Sequence, residues 1–358
     1  MHREISSLLE YGVEMEIRRV QMTGGASFVV TLPKNWAEEQ KIKKNDPVGL
    51  IVQSDGTLLV TKKVTEEPLQ KVKEIDSSTV SDPAFLFRLL IGTYITGFTT
   101  IRITAKQRFP PFVRTVVRDF TQMTIGQEVV EETETVISIK DLLNPAEMPF
   151  DNTIKRMFVI VKNMHEDAIT ALETHNRTLA EDVVARDMDA DRLNWLIARQ
   201  TNMLMQNASL SRRMGISTSL AMHYYMISRI IERVGDHAVR IAENSQPIID
   251  VTLDKKVLSS IKKASVMSLE IFDRSIVSFF NTDMKEAHRN IESIQALENI
   301  TQEINNMVLK QDTMIAIHVG YIAESVRRAG EYAGDISETV INLLVEEDQP
   351  AKKTKSAK

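Results

Sequence analysis

Asp187 and Asp191 are four residues apart, and so are Glu232 and Asp236. On a helix that spacing places both carboxylates of a pair on one face, with Cβ atoms about 5 to 6 Å apart. Like charges held so close repel. A hard divalent cation such as Mg²⁺ or Mn²⁺, bound through oxygen ligands from two neighbouring helices, relieves the repulsion; iron suits such a site where a histidine assists. His237 follows Asp236 directly, but adjacent residues lie about 100° apart around a helix, so it does not share that face. The Glu-x-x-His spacing of di-iron bundles is absent from the chain. A second chemistry stays open. Arg229, Arg233 and Arg240 lie three or four residues from Glu232 or Asp236, and Arg186 and Arg192 flank the other pair, which is also how a surface ion-pair ladder without metal is composed.

Long amphipathic helices must hold these residues. From 151 to 347 the chain has few glycine or proline breaks and reads as roughly six helices. Expected starts are Asp151, Thr178 with Glu181 as a capping box, the 215–219 loop, Thr252, Thr282 and Asp312-Thr313. Residues 231–243 and 326–338 repeat arginine, glycine, an acid, alanine, isoleucine and a final glutamate in register, which predicts two tandem three-helix units. The second unit departs from the first. Arg327 stands where the first acid belongs, Gln302 stands opposite Glu298, and Glu298 and Glu331 remain. One cation site is therefore expected, on the first unit, or none if its acids are drawn into ion pairs. The methionines at 203, 205, 214, 222 and 226 are expected to fill the core.

The opposite end of the chain has another chemistry. Between 16 and 63 there are eight Lys/Arg against five Asp/Glu, although the whole chain carries −5. A local cationic excess suits an anionic polymer. The pattern is strand, Thr23-Gly24-Gly25 turn, strand to Pro33, short helix over 34–40, then a hairpin about Asp55-Gly56. So short a segment can scarcely bury a core alone and is expected to complete its sheet with a second copy. Arg18, Arg19, Lys34, Asn35, Lys43 and Lys44 are the candidate DNA contacts, mostly to phosphates; Arg18 and Arg19 point to opposite faces of a strand, so one of them at most serves without distortion. Between the two ends, 67–150 reads as a small α/β unit: an extended stretch 71–75, a helix opened by Asp82-Pro83, a strand 100–104, a helix after Pro110-Pro111, and strands near 127–132 and 136–140. It holds no phosphate-cradling glycine loop.

The absence of cysteine excludes disulfides, thiolate metal sites and thiol nucleophiles, and fits a cytoplasmic protein. The first residues lack a signal-peptide profile, and the most apolar run, 85–98, is interrupted by Arg88 and too short to span a membrane. No nucleophile or general base accompanies the acids, so the chain is read as a binding protein and not an enzyme. A metal-dependent phosphohydrolase is the competing class. The expected fold class is multidomain α+β, with domains 1–66, 67–150 and 151–347 and a disordered lysine-rich tail, 348–358.

Two resemblances add to this reading. Arg18-Arg19-Val20, Thr23-Gly24-Gly25, the run from Phe28 to Lys34, Lys43-Lys44-Asn45-Asp46 and Asp55-Gly56 resemble the AbrB/SpoVT swapped-hairpin family. That likeness implies a dimeric β-barrel on double-stranded DNA, with Asn45 where glycine is usual; asparagine tolerates positive φ. The strings 232–238 with 241–243, and 186–193, resemble the metal-motif helices of the PhoU family. This implies Asp187, Asp191, Glu232 and Asp236 as ligands for Mg, Mn, Fe or Zn, an all-α bundle of two three-helix repeats, and negative regulation of phosphate uptake. Together the two resemble an archaeal-type phosphate uptake regulator, a DNA-binding transcription factor. An adaptor that acts on the ATPase of a phosphate ABC transporter without touching DNA is the alternative.

Overall fold

A computed structural model describes residues 16–52, 56–62 and 70–347. The chain divides into two compact units, Met1–Pro68 and Leu69–Lys358. The expected lysine-rich tail, the first fifteen residues and Asp55 of the hairpin turn lie outside the described residues.

In the first unit β1 (Gln21–Thr23) pairs with β2 (Ser27–Val29), α1 spans Lys34–Glu39, and β3 (Gly49–Val52) pairs with β4 (Leu58–Thr61), both pairs antiparallel. Gly24 and Gly25 both take positive φ, which is why glycine occupies that turn. Asn45 does so too, at φ 72°, as its place in the Lys43–Asp46 loop requires. None of the described residues here is buried. Phe28 is 79% exposed and Val52 76%, and Val20, Met22, Leu50 and Leu58 also face out. Strands this apolar on an open face form a fold without a core of its own.

The second unit begins with a two-layer α/β element. Its sheet has the order β5-β6-β8-β7, from Val72–Asp76, Thr100–Thr104, Val136–Asp141 and Gln127–Glu132 respectively. β5 and β6 are parallel, joined through α2 (Pro83–Ile95), and the other pairings are antiparallel. Asp82 caps α2 by accepting from the Ala84 amide, with Pro83 at the first helical position, as expected. Alternate strand residues Ile75, Ile101, Ile103, Ile137 and Ile139 meet Leu86 and Leu90 of α2 and Val113, Val117 and Phe120 of α3 (Pro111–Met123) in one apolar cluster.

The helices that follow form two three-helix repeats over one continuous apolar core. The first comprises α4 (Phe150–Thr174), α5 (Arg177–Gln206) and α7 (Thr218–Ser245), with a short α6 (Ala208–Met214) between the last two. The second comprises α8 (Lys255–Asn281), a middle helix broken at Ser293 into α9 (Met284–Glu292) and α10 (Ile294–Val308), and α11 (Thr313–Glu347). Three expected starts move to stronger neighbouring caps. Asn176 accepts from the Leu179 amide where Thr178 was expected, Asp254 replaces Thr252, and Asp283 replaces Thr282, which instead ends α8 in the left-handed region. The expectation that the methionines fill the core fails in part: Met205, Met222 and Met226 are exposed. No helix among the described residues is long and apolar enough to cross a membrane.

Candidate cation site and nucleic-acid interface

Helix α5 carries Asp187 and Asp191, and α7, packed alongside it, carries Glu232 and Asp236. Gly235 permits the close approach. A Cβ there would lie 3.3 Å from Val161 Cγ2, a tight contact, and 4.0 Å from Asp187 Oδ1, an ordinary one, so a larger residue would press on Val161 of α4. The carboxylates form an electrostatically strained group. Burial, then the charges of Asp187, Glu232 and Asp236, push the Asp191 carboxyl up to about 7. Burial followed by Asp236 and Glu243 raises Asp187, burial followed by Asp236 raises Glu232, and burial raises Asp236 against the opposing fields of Arg240, Arg229 and Arg233. Asp187 Oδ1 is buried and has no hydrogen-bond partner among the described residues.

The ion-pair ladder allowed by the spacing is mostly not formed at this group. Arg229 approaches Glu232 at 3.6 Å. Arg186 turns instead to Asp167 at 2.6 Å and Asp182 at 2.9 Å, Arg192 to Asp189 at 3.9 Å, and Arg233 lies over the Tyr332 ring, 5.6 Å from its centroid. Asp187, Asp191 and Asp236 make no ion pair among the described residues. The donors are all oxygen, which fits a hard cation. As the side chains stand, no three His, Asp or Glu among the described residues converge closely enough to chelate one. His237 stays off the site: it stacks on Tyr332 at 5.6 Å, and burial first, then Arg240 and Arg328, bring it down to about 4. His165, wholly buried and brought down to about 4 by burial and His237, sits 3.0 Å from Ser265 Oγ.

The equivalent place in the second repeat is organised differently. Arg327, on α11, has Nη2 2.7 Å from Glu324 Oε1 and Nε 3.0 Å from Glu324 Oε2, and also bonds Glu331. Arg328 reaches Glu324 at 3.1 Å and Glu331 at 3.2 Å. A guanidinium thus fills the space between the acids.

Of the candidate DNA contacts, Arg18 pairs with Glu16, and Lys34 lies 3.7 Å from Glu38 along α1. Arg19, Asn35, Lys43 and Lys44 are exposed, and their side chains make no ion pair or hydrogen bond among the described residues. Sequence reasoning missed Arg199. It is 2% exposed, donates to the carbonyls of Tyr94 and Phe98, and forms an ion pair with Asp141 of the sheet. Its only sequence signal is an arginine in a stretch otherwise suited to a buried helix face.

Residues 154–245 match the family model for the PhoU domain, and residues 21–68 match the model for antidote-toxin recognition MazE, a bacterial antitoxin. The first match spans the first repeat and contains all four carboxylates; the second bears out an AbrB-type head and contains Lys34, Asn35, Lys43 and Lys44 but not Arg18 or Arg19. The chain is 25% identical over 198 residues to the phosphate-specific transport system accessory protein PhoU homolog 1 of Thermotoga maritima, covering 53% of this chain and 83% of that protein. It is 23% identical over 214 residues to the PhoU homolog of Xylella fastidiosa, covering 54% and 86%. Among solved structures it is similar to PhoU from Pseudomonas aeruginosa, with TM-score 0.48, 17% identity and coverage of 55% of this chain and 96% of that one. PhoU from Streptococcus pneumoniae gives 0.47, 15%, 54% and 92%.

Proposed function

We propose that the chain is a phosphate-responsive transcription regulator in which a helical body of PhoU type controls a dimeric DNA-binding head. One observation carries the proposal: a head in which Arg19, Lys43 and Lys44 make no ion pair among the described residues shares a chain with a body in which Asp187, Asp191 and Asp236 make none either. The exposed apolar strands of the head favour a second copy, since burying Phe28, Leu50, Val52 and Leu58 against their equivalents removes that surface from water. In such a dimer Arg19, Lys43 and Lys44 supply phosphate contacts and Asn35 is suited to a base edge. In the body, Asp187, Asp191, Glu232 and Asp236 hold a divalent cation, Mg²⁺ or Mn²⁺ in preference to zinc given the all-oxygen donor set. When bound, the ion neutralises the mutual repulsion of α5 and α7. The output is negative regulation of phosphate uptake, an activity of binding without turnover.

The test is fluorescence anisotropy of the full chain on duplexes taken from upstream of phosphate-transport genes. Binding whose logarithm falls linearly with log salt, and which weakens at least tenfold in Arg19→Ala/Lys43→Ala/Lys44→Ala, is the expected result. No binding at any salt or phosphate level overturns it. The names of the relatives, accessory proteins of phosphate-specific transport, favour a second reading, in which the body docks on a transporter ATPase and the head only dimerises. Intact dimers without DNA affinity would select that one.

A further inference from the structure

Helix α5 serves two parts of the second unit. Asp187 and Asp191 lie near its middle, on the carboxylate site, and its last three turns form the seat of the α/β layer. Trp195 packs against the apolar cluster of that layer. Arg199 holds the end of α2 through the carbonyls of Tyr94 and Phe98, stacks 4.8 Å from the Tyr94 ring centroid and binds Asp141. Gln200 Nε2 donates to the carbonyls of Pro145 at 2.9 Å and Met148 at 2.7 Å. Eight residues of one helix, about 12 Å, separate Asp191 from Arg199.

This seam is directional. Hydrogen bonds weaken steeply with angle and distance, so a small axial or rotational shift of α5 changes its energy more than it would change a purely apolar contact. A buried ion pair is itself weak as a source of stability and better attested as a device that selects one arrangement.

We propose that α5 is a coupling element: neutralising the carboxylates of Asp187 and Asp191 shifts α5 against α7, and the Arg199 clamp passes that shift to the α/β layer. The layer is then the receiver of the site's state. The proposal rests on the cation reading above for its natural trigger, and the shift itself follows from removal of charge by any means.

Hydrogen exchange of the full chain, followed by mass spectrometry over 94–98 and 141–148 with and without Mn²⁺, tests it, with Mn²⁺ binding measured separately by electron paramagnetic resonance. Bound Mn²⁺ is expected to change exchange in both segments at least threefold. Arg199→Met/Asp141→Asn, which strands no charge and keeps the acceptor for the Leu143 amide, is expected to retain Mn²⁺ affinity within about threefold and lose the response. Asp187→Asn/Asp191→Asn, measured without metal, is expected to reproduce the response of bound Mn²⁺. Mn²⁺ bound to the natural chain with unchanged exchange overturns the proposal, as does a response that survives in the clamp variant. If Mn²⁺ fails to bind, the cation reading falls, and the asparagine variant alone decides: a changed seam keeps the coupling, an unchanged one ends it.

Discussion

The two helical repeats share a plan and differ in what sits between their acids. In the first, Asp187, Asp191 and Asp236 have no cationic side chain in ion-pair contact among the described residues, and their carboxyls are raised. In the second, Arg327 bonds both Glu324 and Glu331, and although burial pushes Glu324 up, Arg327 and then Arg328 together hold it below its ordinary value. The PhoU-model match ends with the first repeat. The acids of the first group thus come from two packed helices, whereas Glu324 and Glu331 pair with arginines of their own helix, α11.

The largest expected effect concerns the ion. Asp187→Asn/Glu232→Gln is expected to weaken Mn²⁺ binding by at least 100-fold, about 2.7 kcal/mol, as read by calorimetric titration. Arg327→Ala should leave the affinity of the first repeat within about threefold, and a parallel loss in that variant would erase the distinction. The next effect is packing. A Cβ at Gly330 would collide with the Leu297 side chain, whereas the nearest atom at Gly235 is 3.3 Å away. Gly330→Ala is expected to cost about 1 to 3 kcal/mol in urea unfolding and Gly235→Ala less than about 1.

The third contrast is one of sign. In metal-free protein Glu331→Gln breaks charged hydrogen bonds and is expected to destabilise by about 1 to 2 kcal/mol. Asp191→Asn relieves repulsion and is expected to stabilise, on the order of 1 kcal/mol after allowing for solvent screening. Thermal melts with the same sign for both would dissolve the comparison. The smallest effect is in pH. The folded pKa of Asp191 is raised to about 7, so the folded chain binds the proton that the unfolded chain has released, and stability falls as pH rises from about 4 through 7. Melting temperatures of chelator-treated protein should therefore drop by a few degrees between pH 5 and 8, and Asp191→Asn should flatten that slope.

Local chemistry made much of this legible in the sequence. Asp82-Pro83 announced α2, the strand expected over 100–104 is β6, and the arginine–glycine–acid echo revealed the repeat. Three helix starts were missed because several capping residues stand side by side and backbone geometry chooses among them: Asn176 over Thr178, Asp254 over Thr252, Asp283 over Thr282. The Arg199 clamp was invisible because Tyr94 and Asp141 lie 105 and 58 positions away. For Arg233, spacing showed that pairing with Asp236 was possible but could not show that its guanidinium lies over the Tyr332 ring, and for Met205, Met222 and Met226 residue type alone did not tell a buried helix face from an exposed one.

Counting divalent ions is the most direct test of the asymmetry between the repeats. Native mass spectrometry of the full chain equilibrated with excess Mn²⁺ should show one tightly held ion per chain, lost in Asp187→Asn/Glu232→Gln and retained in Glu298→Gln/Glu331→Gln. No bound ion, or two, or one ion that survives the first double variant, would contradict a body with a single ion-dependent half.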